Sequence, residues 1–168
     1  MGLGMDLAHV ISGTVSGSTH TGQDLSQVAA TYVSTNVIDL GVKGTAVRGG
    51  PLISQFGFGT PMAMLFTVLV AFDAAAGGTM NIRLVSDSVA ALSSPTVLQQ
   101  TGALTTVAAD TIFTAGKRIV MWVPPTIPDA DQYLGADYVI GTQTTTAGTI
   151  FAELVDLRNI QTNGALLF

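Results

Sequence analysis

The chain has very few of the residues that carry out covalent or metal chemistry. Its 168 residues include no cysteine, a single glutamate and two histidines, His9 and His20. The absence of cysteine excludes a disulfide framework and thiolate zinc sites. A cupin-type metal site needs clustered histidines with a glutamate, and the two histidines lie eleven positions apart near the amino end. We therefore expect no catalytic residue, no metal site, no cofactor and no enzymatic activity.

Charge is also scarce. Charged residues make up 10% of the chain and hydrophobic residues 48%, with a net charge of −5. The six basic residues are spread singly except for the pair Lys117-Arg118, which gives no basic patch for phosphate backbones. Nucleic acid is therefore excluded as an expected partner. A chain with this little charge is expected to work packed against another protein.

The longest uncharged stretch lies between Arg48 and Asp73, but proline and glycine interrupt it. Its dense apolar part is Met62 to Phe72, and these residues as a helix would cover only ~16 Å, about half of a bilayer's hydrocarbon core. As a strand, the same residues form a long buried element. The first six residues lack the basic and apolar regions of a signal peptide. The sequence thus predicts an unprocessed, soluble protein without a membrane partner.

Residues 1–28 are rich in Gly, Ser and Thr and show no sustained period, which predicts an extended arm. Beyond residue 29, runs rich in Val, Ile, Thr and aromatics alternate with Gly and Pro breaks, a pattern typical of short strands. The eight predicted strands are 30–33, 37–40, 62–72, 79–85, 96–101, 118–123, 133–142 and 149–157. Eight strands favour a jelly-roll β-sandwich of two roughly four-stranded antiparallel sheets.

Three polar or aromatic groupings offer alternatives to a purely structural role. Asp129, Asp131 and Asp137 could bind calcium, although the spaced glycine and closing glutamate of a calcium loop are missing. Glu153 and Asp156 have opposite parity on one strand, which makes them a poor glycosidase pair. A third grouping supports a lectin-like module for host attachment: Trp122, Tyr133 and Tyr138 could form an aromatic platform for sugar.

An ordered set of short segments between Tyr32 and Leu157 resembles a known protein family. The segments are Ser34–Gly41, Leu84–Asp87, Leu92–Leu98, Ala115-Gly116, Val123–Pro125, Tyr133-Leu134 and Gly148–Asp156. In order and in amino-acid sequence they resemble the capsid cement, or decoration, proteins of tailed phages, especially the type from short-tailed phages. That family consists of jelly rolls that sit on the outer surface of an icosahedral capsid.

The resemblance implies an external cement protein that binds the major capsid protein at local symmetry axes and stabilises the shell. It also implies a homodimer or homotrimer. We expect three regions: an arm, 1–28, a jelly-roll cement domain, 29–157, and a tail, 158–168. The arm and the tail are expected to become ordered on the capsid or on a neighbouring subunit. The candidate interface residues are Phe56, Phe58, Met62, Leu166, Leu167 and Phe168.

Overall fold

The computed structural model describes residues 10–41, 61–108, 112–156 and 166–168. These residues form fourteen β-strands and no helix. The strands are β1 (Val10–Ser12), β2 (Thr14–Ser16), β3 (Thr19–Thr21), β4 (Gln23–Asp24), β5 (Thr31–Val33), β6 (Ile38–Asp39), β7 (Met62–Ala74), β8 (Thr79–Asp87), β9 (Thr96–Gln100), β10 (Leu104–Thr105), β11 (Arg118–Trp122), β12 (Tyr133–Gly141), β13 (Thr145–Asp156) and β14 (Leu166–Leu167).

Twelve of these strands build two six-stranded sheets, and β2 pairs with β3 in a separate hairpin. Sheet 1 has the order β1-β13-β7-β11-β14, with β4 also paired to β13. Sheet 2 has the order β10-β8-β12-β5, with β9 also paired to β8 and β6 to β12. The central ladders are β7 with β13 in sheet 1 and β8 with β12 in sheet 2, both antiparallel.

Several short strands share one position in a sheet. Since β1 and β4 both pair with β13, β5 and β6 with β12, and β9 and β10 with β8, each pair of pieces acts as one interrupted strand. With β14 left aside, the strands occupy eight positions, numbered along the chain, in the order 1-8-3-6 in sheet 1 and 2-7-4-5 in sheet 2. This is the Greek-key order of a jelly roll. The predicted jelly-roll β-sandwich is therefore confirmed.

The core fills the space between the two sheets. Alternate residues of the long strands point into it, such as Met64, Phe66 and Val68 on β7 and Met80, Ile82 and Leu84 on β8. All six are fully buried. This alternation follows from the two-residue period of a strand, which sends successive side chains to opposite faces. The apolar composition of the predicted strands is thus largely used by one continuous core.

The amino-terminal region differs from the predicted arm. Strands β1 and β4 lie in sheet 1 beside β13, and Ile11 and Leu25 are fully buried in the core. The sandwich therefore begins before residue 29. Between β1 and β4, residues 13–22 leave sheet 1 and include the β2–β3 hairpin. Two strands of three and two residues are too short to produce a visible period in the sequence. Gly13, with φ of 96°, and the close approach of Gly22 to the Ile150 backbone fix this interrupted edge.

The carboxyl end is also paired within the chain. Strand β14 lies parallel to β11, with Leu166 opposite Ile119 and Leu167 opposite Val120. The Phe168 N–H donates to the Val120 carbonyl at 2.9 Å. The end of the predicted tail thus occupies the outer edge of sheet 1.

One buried hydrogen bond joins the two sheets through the core. The hydroxyls of Tyr138 on β12 and Ser12 on β1 are 2.5 Å apart, and both residues are fully buried. The Tyr138 ring also meets Phe66 edge-on, with ring centroids 6.3 Å apart. Burial raises the pKa of Tyr138, so the hydroxyl stays protonated at neutral pH. This bond therefore holds the amino-terminal edge of sheet 1 to the centre of sheet 2.

We predict that Tyr138→Phe lowers the free energy of unfolding by about 1–3 kcal/mol, because it leaves the Ser12 hydroxyl buried without a partner. Urea denaturation monitored by Trp122 fluorescence measures the change. The matched control is Tyr32→Phe, which removes an exposed hydroxyl that donates to the Val28 carbonyl. Ser12→Ala added to Tyr138→Phe should recover much of the loss, and equal destabilisation by the Tyr32 and Tyr138 substitutions would contradict the assignment.

Candidate interaction surfaces

Six large hydrophobic residues in the described part of the chain are exposed. They are Val28, Val33, Val70, Val89, Val97 and Trp122. The largest is Trp122, the last residue of β11, which is 49% exposed. A tryptophan has a large apolar surface, so leaving half of it in water is costly unless a partner covers it. Trp122 is therefore the strongest candidate for a contact with another molecule.

The strand pattern explains why Trp122 faces outward. Ile119 and Met121 point into the core, so Trp122 has the opposite parity. Its cross-strand partner is Ala63 on β7, whose small side chain can cover little of the indole. The sandwich thus fixes the position of the indole while leaving it accessible.

An open groove of about 510 Å³ begins two residues beyond Trp122. Its lining includes Val97, Leu98, Pro124, Ile127, Pro128 and Asp129. Val97, on the edge strand β9, is 40% exposed. The groove is mainly apolar and shallow, with one carboxylate, that of Asp129, in its lining. This composition suits a protein segment better than a small polar substrate.

The structure places the predicted interface residues in different surroundings. Met62 is half-buried and its carbonyl accepts a hydrogen bond from Val123, while the Phe168 carbonyl accepts one from Trp122 at 3.4 Å. Both therefore lie at the end of β11 that carries Trp122. Leu166 and Leu167 form β14. Phe56 and Phe58 lie outside the described residues, and none of the six assignments is tested by these contacts.

The three aspartates considered for calcium do not converge. Asp137 forms an ion pair with Arg83, whose Nε donates at 2.6 Å. Asp131 is buried and accepts from the Ser86 hydroxyl at 2.5 Å, whereas Asp129 is exposed at the groove. Within 10–41, 61–108 and 112–156, no three metal-ligating side chains form a group. Two of the three carboxylates serve the internal structure of sheet 2.

The aromatic platform considered for sugar binding does not form. Tyr138 is fully buried in the core, and Tyr133 is half-buried with its hydroxyl accepting from the Gln132 amide. Both lie on sheet 2, whereas Trp122 lies on sheet 1. The sequence pattern alone does not show that Tyr138 faces the core and Trp122 faces solvent, because this requires the register of both strands.

A charged cluster lies on the outward face of sheet 1. Glu153 on β13 is half-buried between its cross-strand partners Val10 and Leu65. Burial raises the pKa of Glu153, and the charges of His20 and Arg118 partly oppose this effect. Sequence reasoning did not single out this cluster, because the register that joins β13 to β1 is not visible in the sequence.

The β2–β3 hairpin lies against the same face. The His20 ring on β3 meets Phe151 edge-on, with ring centroids 4.9 Å apart. Phe151 is 3% exposed although it faces away from the core cluster. The hairpin therefore covers an apolar part of the outward face of sheet 1, next to Glu153.

The comparison with protein families matches the Bbp16 family over residues 22–154, most of the chain and nearly all of the sandwich. The chain belongs to the Bbp16 family. This family is phage-related, which indicates a phage virion protein. No curated protein matches the chain. In the described part of this Bbp16 protein, no helix is long and apolar enough to cross a membrane.

We predict that Glu153→Gln increases stability at pH 7 relative to the unsubstituted chain. The folded state disfavours the ionised carboxylate, so the pKa of Glu153 is higher in the folded protein than in the unfolded protein. The stabilisation that the protonated side chain provides is therefore fully present below the unfolded pKa and is lost as pH rises through the folded pKa. Urea denaturation at pH 4 and pH 7 measures the difference, which should be small at pH 4 and larger at pH 7. The control is Asp73→Asn, an exposed carboxylate on β7. A stabilisation that is equal at both pH values would rule out this explanation.

Proposed function

We propose that this Bbp16 protein is an external capsid cement protein, which binds the major capsid protein at local symmetry axes and stabilises the shell. Its role in this proposal is structural and not enzymatic, and it requires no cofactor, nucleic acid or membrane. The protein acts in many copies on the outer surface of the capsid. It binds there as a homodimer or a homotrimer.

The observation that carries the proposal is the exposed Trp122 beside an apolar groove, on the jelly-roll sandwich of a phage-related protein. Buried tryptophans are among the residues that contribute most to protein interfaces. Charged residues are depleted from the centres of such interfaces, and the lining of the groove contains a single charged residue, Asp129. The surface therefore has the composition of a protein-binding site.

The mechanism is interface energy multiplied over many copies. A standard interface buries on the order of 1,600 Å², and a few anchor residues determine its affinity. A protein that contacts two adjacent capsomers links their surfaces, because both contacts must break before either capsomer moves away. The rigid sandwich keeps Trp122 and the groove in a fixed geometry, which limits the entropy lost on binding.

The carbohydrate-binding alternative has no comparable support. It depended on Trp122, Tyr133 and Tyr138 acting together, and the buried Tyr138 cannot contact a ligand at the surface. A glycan array with the purified protein distinguishes the two functions. Specific sugar binding without binding to shells would favour attachment over cementing.

We predict that the purified protein co-sediments with phage shells that lack it and raises the temperature at which they rupture. The reason is that each bound copy adds contacts between neighbouring capsomers. Sedimentation with increasing protein concentration gives the occupancy, and light scattering during heating gives the rupture temperature. Free major capsid protein serves as a comparison for the assembled lattice. Full occupancy without any change in rupture temperature would exclude cementing, and absence of binding would exclude the proposal altogether.

We predict that Trp122→Ala weakens binding to shells by about 30-fold, corresponding to about 2 kcal/mol for the loss of an interface anchor. The matched control is Val28→Ala, which truncates the most exposed of the large hydrophobic side chains, 61% accessible. Val28 precedes β5, the edge strand of sheet 2 farthest from the groove. Circular dichroism checks that both variants fold. If the two substitutions weaken binding equally, Trp122 is not the anchor.

A further inference from the structure

The edge of sheet 1 carries a strand whose pairing differs from all others in that sheet. In the described residues, β14 with β11 is the parallel pair of sheet 1, and the remaining pairs are antiparallel. Its ladder joins two residues of each strand, and Phe168 extends it by donating to the Val120 carbonyl and accepting from the Trp122 N–H. The pairing is therefore short, and it satisfies the outward Val120 carbonyl and Trp122 N–H of β11.

The position of β14 does not require that it come from the same chain. Asp156, the last residue of β13, pairs with Met62 on β7. Leu166 pairs with Ile119, which in turn pairs with Phe66 on β7. The end of β13 and the start of β14 are thus four residues apart along the sheet and three strands apart across it, about 20 Å in all. The ten steps from residue 156 to 166 can span about 35 Å.

The connection is thus longer than its own edge requires, and it can reach the edge of an adjacent molecule. Donor and acceptor are both parts of this chain, so every copy brings a matching strand and a matching edge. Residues 164–168 carry no charged side chain, so two copies meet little repulsion at this edge. Exchange of an identical element between copies needs no new contact, because the contacts of the single chain are made between two chains instead.

We propose that β14 is an exchangeable strand, and that the β11 edge of one copy binds the carboxyl-terminal segment 166–168 of a second copy. Reciprocal exchange closes a two-fold dimer, and one-way exchange links copies in a row. The inference concerns the contact between copies. It does not depend on binding to the capsid.

The absence of cysteine allows a direct test in full-length chains. One population carries Trp122→Cys, and the other carries a cysteine added after Phe168, a position that the parallel register places opposite residue 122. The two are mixed at high concentration, incubated and oxidised. We expect the mixed disulfide to exceed by about ten-fold that formed when Val97→Cys, on the β9 edge of sheet 2, replaces Trp122→Cys. A yield equal to that of the Val97 control would overturn the proposal.

A second arm leaves β11 unchanged, in case Trp122→Cys disturbs folding. The added carboxyl-terminal cysteine carries a benzophenone label, and chains with natural isotopes are mixed with ¹⁵N-labelled chains before photolysis. Mass spectrometry should find the label attached to β11 peptides of the other isotopic form. Attachment exclusively within one isotopic form at every concentration would also overturn the proposal. Because no capsid is present, failure of exchange and failure of capsid binding are measured separately.

Discussion

The fold depends on the insertion of β13 between the amino-terminal edge and β7. This strand makes a ladder with β7 that runs from Thr145 to Asp156, and on its other side it pairs with β1 and β4. Its partners at one position, Val10 and Leu65, are 143 and 88 residues away in sequence. Sheet 1 cannot close until nearly the whole chain is available. We therefore expect the slow folding that is typical of sandwiches with distant strand pairs.

The two outward faces of the sandwich differ in chemistry. The outward face of sheet 2 carries polar pairs, among them Arg83 with Asp137 and Asn81 with Gln100. That is the usual arrangement for an antiparallel sheet with one side in water. The outward face of sheet 1 is different, because it continues as an apolar surface.

The register identifies that apolar surface. Val10, Ala63, Val120 and Phe151 are buried, yet they have the parity opposite to the core cluster. Trp122 belongs to the same face through its partner Ala63, and it is 49% exposed. The asymmetry gives a physical reason to place a protein partner on the side of sheet 1.

Much of the sandwich was predictable from the sequence, because long strands carry clear signals. All eight predicted strands occur, and β7, predicted as Met62 to Phe72, extends to Ala74. The predicted number of eight strand positions, however, is correct because one position was counted twice and another was missed. The predicted strands 30–33 and 37–40 share one position beside β12, and the missing position is the interrupted strand within the predicted arm.

The candidate site was less predictable than the fold. Exposure of Trp122 depends on its parity in β11 and on the small Ala63 beside it, and neither follows from composition. Burial of Tyr138 depends on the register of β12. The parallel pairing of β14 is a contact between residues more than 40 positions apart, made by two residues with no period of their own. Properties that require register or distant pairing are outside the reach of local sequence patterns.

The edges of the sandwich limit the pairing of strands with other chains. The interior strands β7, β8, β12 and β13 have 13, 9, 9 and 12 residues, and the interior strand β11, between β7 and β14, has five. The edge positions are instead built from pieces of five residues or fewer, namely β1 with β4, β5 with β6, β9 with β10, and β14. Short, interrupted edges offer few consecutive hydrogen-bonding groups to a foreign strand. With electrostatic repulsion weak, this geometry restricts strand pairing to partners that match a short register, and the carboxyl terminus of the same protein is such a partner.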